Sequence, residues 1–199
     1  MARKSGEDRK TEIIASARDI IFDEGFGNFT IRRVASCIGI SEAAIYRHFA
    51  SKEELLLALL DTLFVPWRQA LEDLLNSEET VAARLMGLVE LHLHHLIERR
   101  LNPLLFFSEA ICPENQNLLH KLRNNLEVLQ TILLRIVREA VKRGELPERL
   151  DEKAAADCMV AILQSSVIKW TMQRQEAGLV EHSSRLMKFF LHQIIVEEN

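Results

Sequence analysis

Between residues 30 and 52 the chain sets Arg32, Arg33, Arg47 and Lys52 among Thr30, Ser41, Glu42, Tyr46 and His48. Long cations, hydroxyls, a carboxylate and an imidazole at this density are the groups that hold phosphate oxygens and read the hydrogen-bonding edges of bases. Bond-breaking chemistry has no comparable cluster. The chain carries no nucleophile–base motif, no glycine-rich phosphate loop and no carboxylate pair of distinctive spacing, so no catalytic residue is expected and the chain reads as a non-enzyme. His92 and His95 share a helix face at i, i+3 spacing, with Glu90 and Glu98 nearby. His120, His182 and His192 are scattered and form no second cluster, so neither a metal nor a cofactor is expected. Cys37, Cys112 and Cys158 form no CxxC spacing and fit a reducing compartment.

Such groups act together only if rigid elements present them on one surface. Ile13, Ile14, Ala17, Ile20 and Ile21 follow a 3.6-residue stripe and predict a first helix, stopped by Gly25 as a left-handed cap. Phe26 to Phe29 form a short turn with two apolar anchors. Thr30 caps a second short helix to about Cys37. Gly39 permits the positive φ of a tight turn, and Ser41 caps a third helix through His48. Ala35 is the small residue expected where these two helices cross. With Ile40, Ala44, Ile45 and Phe49 turned to the first helix, Glu42, Ala43, Tyr46, Arg47 and His48 are left facing outward. Residues 30–49 thus have the anatomy of a helix-turn-helix, whose second helix enters the major groove of DNA. Ser51-Lys52-Glu53-Glu54 has capping-box spacing and opens a fourth helix that Pro66 should kink or end.

The net charge of −4 is unusual for a protein that meets phosphate, but its distribution is uneven. Residues 1–52 hold nine Lys/Arg against seven Asp/Glu, and residues 53–199 hold sixteen against twenty-two. A local basic face is what phosphate contact requires.

The remainder is helical in period, and no segment alternates as a strand does. A fifth helix is expected from Glu79 to Arg99, a sixth from Pro103 to about Ile111, a seventh from Asn115 to Arg143, an eighth from the Asp151 cap to Gln173 and a ninth ending near Val196. The expectation is an all-α chain of about nine helices, divided near residue 50. Residues 1–50 form a DNA-binding domain, and residues 51–199 a helical sensor and dimerisation domain. Met1 to Asp8 carry no apolar run, and no stretch approaches the ~18 apolar residues of a membrane span. A cytoplasmic protein without signal peptide or membrane contact is therefore expected.

The run Ile38-Gly39-Ile40-Ser41-Glu42-Ala43-Ala44-Ile45-Tyr46-Arg47-His48-Phe49, followed by Ser51-Lys52-Glu53-Glu54-Leu55, closely resembles the signature of the tetracycline-repressor (TetR) family. Gly25 to Ala35 also resembles that family's first-helix exit and second helix, and the likeness covers roughly residues 10–64. It implies about nine helices, a dimer, and a sensor domain whose ligand releases the DNA. Carried onto the matching positions, it implies that Thr30, Ile31 and Arg32 open the second helix toward phosphate, with Arg33 a further phosphate contact. Ser41, Glu42, Ala43 and Ala44 start the recognition helix. Glu42 could accept from a cytosine amino group, and Ala43 could touch a thymine methyl. Tyr46 and His48 match positions that meet the backbone, and Lys52 matches a lysine that grips phosphate. Arg47 could pair with guanine or hold phosphate. Ala44 departs from what a base reader needs, which shifts weight to Glu42 and Arg47.

In the sensor half, Trp67, Met86, His92, Phe106, Phe107, Leu126, Gln130, Met159 and Gln164 are candidates to line a pocket for a small, mostly hydrophobic effector. The eighth helix is apolar nearly all round, which calls for burial on both sides. Met159, Leu163, Val167 and Trp170, with Leu186, Phe190 and Ile194 of the last helix, are the expected homodimer interface. The function expected is a sequence-specific transcriptional regulator, a repressor released from a palindromic operator by its effector. The alternatives are a nucleoid-occlusion type of regulator, with DNA as effector and a protein partner, and a metal or redox sensor using His92, His95 or Cys112.

Overall fold

A computed structural model describes residues 5–75, 79–100, 102–173 and 178–195. Among the described residues there are nine α-helices, two 3-10 turns and no strand. In chain order the helices are α1 (Gly6–Glu24), α2 (Ile31–Ile38), α3 (Glu42–Tyr46), α4 (Lys52–Leu75), α5 (Val81–Glu98), α6 (Pro103–Ala110), α7 (Gln116–Lys142), α8 (Glu152–Met172) and α9 (Leu179–Ile194). The expected end of the ninth helix near Val196 lies outside the described residues.

Local chemistry sets most boundaries. Ser5 and Asp8 close a capping box on α1. Thr30 Oγ1 accepts from the Arg33 amide at 3.0 Å and starts α2, while Asp151 accepts from the Ala154 amide and starts α8. Gly25 has a positive φ of 82°, but with ψ at 165° it is not the left-handed helical cap expected. It occupies a region that glycine alone tolerates and swings the chain out into the Phe26–Asn28 turn. Pro66 does not end α4, which continues to Leu75.

The chain packs as two compact units, with breaks inside α4 between Val65 and Pro66, between Glu98 and Arg99, and inside α7 between Arg123 and Asn124. Packing therefore groups the first half of α4, all of α6 and the start of α7 with the helix-turn-helix, where the sequence suggested a division at residue 50.

In the N-terminal unit, α1 packs on α2 and α2 on α3. Ile13, Ala17, Phe29, Val34, Ile45, Phe49, Leu55 and Leu56 fill its core. Phe106 of α6 meets Phe26 edge-on, with ring centroids 5.1 Å apart. Arg100 adopts a positive φ of 53°, stacks on Phe22 at 4.6 Å and pairs with Asp19 and Asp23 of α1.

In the second unit α9 packs on both α5 and α8. Arg84 of α5 is only 1% exposed. Its Nη2 donates to the Leu75 carbonyl and to Glu139 Oε2, each at 2.9 Å, joining the end of α4 to α5 and α7. Burial raises the Glu139 carboxyl, but hydrogen bonding and charge from Arg84, then from Arg135, outweigh it and hold the group below its ordinary range.

Candidate nucleic-acid interface

The turn between α2 and α3 builds the interface from three local devices. Gly39 is left-handed, with φ 69° and ψ 37°, and the Ile40 amide returns to the Ala35 carbonyl at 3.0 Å. Ser41 Oγ accepts from the Ala44 amide at 3.2 Å. Ile45, fully buried, then pins α3 to the core. The helix is shorter than expected: it ends at Tyr46 and continues as a turn in which the His48 amide reaches Ile45.

With Ile45 and Phe49 inward, Ser41, Glu42, Ala43, Tyr46 and Arg47 are exposed, and His48 and Ala44 are half-buried. Tyr46 is 50% exposed, a large aromatic surface for a soluble face. Thr30, Arg32 and Arg33 are exposed, and Ile31 is buried as the first core residue of α2. Ile31 can thus present its backbone amide to a phosphate, not its side chain.

Two of the cations expected to meet phosphate are already held by carboxylates. Arg33 forms a fork on Glu24, Nη2 to Oε1 at 2.7 Å and Nε to Oε2 at 3.2 Å, and its hydrogen bonds hold the Glu24 carboxyl below the usual range. Lys52 Nζ lies 2.5 Å from Glu109 Oε1 and 5.1 Å from the centre of the Phe29 ring. No ion pair among the described residues engages Arg32 or Arg47. Glu24 and Glu109 have no local sequence signal as partners, since both pairings are made by tertiary packing.

The pocket candidates are not brought together as a set. Phe106 is buried against Phe26 in the N-terminal unit, Phe107 is 41% exposed and Gln164 is exposed. Gln130 is bonded to Asp157 of α8 at 2.5 Å. Trp67 and Met159 are buried, while Met86 and Leu126 are half-buried. Trp67 and His92 do meet, with ring centroids 5.5 Å apart. His92 Nδ1 is enclosed without a protein partner, and burial, reinforced by His95, pushes its pKa down to about 4. Among the described residues no three His, Cys, Asp or Glu side chains cluster as a metal site.

The interface candidates on α8 need correction. Met159, Leu163, Val167 and Trp170 are buried within the single chain, because they form the stripe that faces its own core. The outer stripe is Ala154, Cys158, Ala161, Ser165, Ile168 and Met172, all exposed, with Met172 at 81%. On α9, Leu186, Phe190 and Ile194 are half-buried, and the neighbouring Phe189 is 68% exposed.

Two family models cover nearly the whole chain. Residues 13–59 match "Bacterial regulatory proteins, tetR family", and residues 64–193 match "YsiA-like protein, C-terminal region". The chain is 23% identical over 180 residues to the fatty acid metabolism regulator protein of Bacillus subtilis, covering 90% of this chain and 92% of that one. It is 25% identical over 171 residues to the nucleoid occlusion factor SlmA of Shewanella baltica, covering 83% and 84%. Its fold matches the crystal structure of the regulator FadR from Bacillus subtilis in complex with stearoyl-CoA, with a TM-score of 0.74 at 22% identity, covering 91% of this chain and 97% of that one. With an exposed recognition helix on a helix-turn-helix and both family models matched, the chain belongs to the tetR family of bacterial regulatory proteins and is a DNA-binding transcriptional regulator.

Proposed function

We propose that this regulator is a homodimeric repressor that reads a palindromic operator and is released from it by a long-chain acyl thioester. The observation that carries the DNA half is the exposed edge of α3: Glu42, Ala43, Tyr46 and Arg47 stand outward while Ile45 is fully buried. Glu42 and Arg47 read bases. Thr30, Arg32, Ser41, Tyr46, His48 and Lys52 hold backbone, and Arg33 joins them when its carboxylate partner yields.

One five-residue helix makes too few contacts for the ~4–10 kcal/mol that separates specific from non-specific sites. Two such helices about 34 Å apart, one turn of B-DNA, supply them together. The outer stripe of α8 and Phe189 of α9 form the dimer face in this reading, since burying Ile168, Met172 and Phe189 removes apolar surface that one chain leaves in water.

The effector class is suggested by the relatives, one named a fatty acid metabolism regulator and one solved with stearoyl-CoA. Trp67, Met86, His92, Leu126 and Met159 remain the pocket candidates. A ligand shifts the DNA equilibrium only by its difference in affinity for the two states, so full release requires several kcal/mol of difference. The test is fluorescence anisotropy of an operator duplex titrated with stearoyl-CoA. Release at micromolar concentrations supports the reading. The similarity to a nucleoid occlusion factor favours one other outcome, in which DNA is retained at all stearoyl-CoA concentrations and the complex recruits a protein.

No helix among the described residues is long and apolar enough to cross a membrane. The soluble, cytoplasmic, non-catalytic role follows from the proposed function.

A further inference from the structure

Arg68 of α4 and Asn125 of α7 form a polar pair inside the second unit whose hydrogen-bonding capacity exceeds what the protein supplies. Arg68 Nη2 donates to Asn125 Oδ1. Arg68 Nε and Asn125 Nδ2 are both buried donors with no acceptor from the chain, and Asn125 is only 4% exposed. No carboxylate among the described residues pairs with Arg68. Arg84 of the same unit also leaves its Nε unmet, but it has a carboxylate partner, Glu139, which with the Leu75 carbonyl accepts from its Nη2.

Buried donors left unmet are costly, and the Arg68 Nε and the Asn125 amide are both such donors, although Arg68 as a whole is half-buried. A fold keeps such a cost where function uses it. Arginine and amide donors side by side suit an oxygen that carries negative charge, because guanidinium bonds to carboxylate or phosphate are the strong, charge-assisted kind. Trp67, the neighbour of Arg68 on α4, meets the His92 ring at an interplanar angle of 57°, and burial keeps that imidazole neutral.

We propose that Arg68 and Asn125 are the polar anchor of the effector site and bind an anionic oxygen of the effector. This rests on the reading of the protein as a ligand-released repressor. A free fatty acid would supply the oxygen from its carboxylate, and an acyl thioester from the phosphates of its coenzyme A part.

The experiment uses full-length protein and three probes below their micelle concentrations: stearate, stearoyl-CoA and octadecanol. Binding is followed by tryptophan fluorescence, and operator release by anisotropy. At least one anionic probe is expected to bind tenfold or more tightly than octadecanol, and which one does identifies the source of the oxygen. Arg68→Met and Asn125→Asp should each erase that preference while leaving octadecanol unchanged. In Asn125→Asp the new carboxylate closes the pair with Arg68 and repels an anion, so the melting temperature without ligand should rise. Equal binding of octadecanol and the anionic probes overturns the proposal. So does an Arg68→Met protein that melts several degrees lower yet keeps the wild-type preference, since the pair is then structural. Release of the wild type by stearoyl-CoA with an identical response from Arg68→Met refutes the anchor alone. Anchor-dependent binding without operator release refutes the repressor reading alone, and no binding of any probe overturns both.

Discussion

Lys52 Nζ and Glu109 Oε1 lie 2.5 Å apart, so the lysine at the start of α4 meets a carboxylate of α6 in the absence of DNA. Phosphate must displace Glu109 to use that lysine. Partly exposed pairs of this kind contribute about 0.2–1 kcal/mol, which converts to at most a roughly fivefold change in affinity. Glu109→Gln is therefore expected to tighten DNA binding about two- to fivefold on operator and scrambled duplex alike, measured by anisotropy at one fixed salt concentration. A change confined to the operator would mean that Glu109 acts on base reading and not on a phosphate contact.

Arg84 and Glu139 make a different kind of pair, one whose cation is buried in the second unit. Glu139→Gln leaves a nearly inaccessible guanidinium without its counter-charge. Losing one partner of a buried pair costs about 3–5 kcal/mol, and the partial solvation of Glu139 places this loss at the lower end. Urea unfolding should show a lower midpoint with an unchanged slope.

Stability should also depend on pH through His92. Its pKa is about 4 in the fold, by burial first and His95 second, against about 6.5 in an unfolded chain. The unfolded state binds the extra proton between those values. The stabilisation from a neutral His92 is thus present above about pH 6.5, falls as pH drops, and is fully lost below about pH 4. Between pH 7 and 5 the loss amounts to about 2 kcal/mol. His92→Met should flatten most of this slope in thermal melts, leaving the smaller contribution of His182, which is lowered by burial and by Lys169 and Arg185. An unaltered slope in the variant would show that the imidazole is not the group responsible.

On the dimer reading, Phe189→Glu places a charge on the exposed side of α9 that the partner would cover. Light scattering should show at least a tenfold weaker dimer with helicity retained, since Phe189 is 68% exposed in the single chain. Operator affinity should fall with it, because the two recognition helices then bind independently. A monomer–dimer equilibrium unmoved by Phe189→Glu and by Ile168→Glu would place the interface elsewhere.

What could be read from residues alone was what is local. Thr30, Ser41 and Asp151 cap helices where their spacing predicts, and the glycine turn at Gly39 has the backbone angles its position demands. The inside of α8 was not legible for a physical reason: apolar residues occupy both sides, so periodicity alone did not separate the Met159–Trp170 stripe from the Ile168–Met172 stripe. The Phe26–Phe106 contact spans eighty residues of sequence. The carboxylates on Arg33 and Lys52, and the Arg68–Asn125 pair, are likewise products of tertiary packing, which leaves no spacing signature in the chain.

The central claim is that α3 reads base edges, and selection of bound sites from random duplex DNA at physiological salt tests it most directly. The wild type should enrich a palindrome of roughly 14–20 base pairs with half-sites one turn apart. Arg47→Ala should relax the preference at one position of each half-site, at a cost of about 1–3 kcal/mol. A wild-type protein that enriches no sequence over any other would contradict the account.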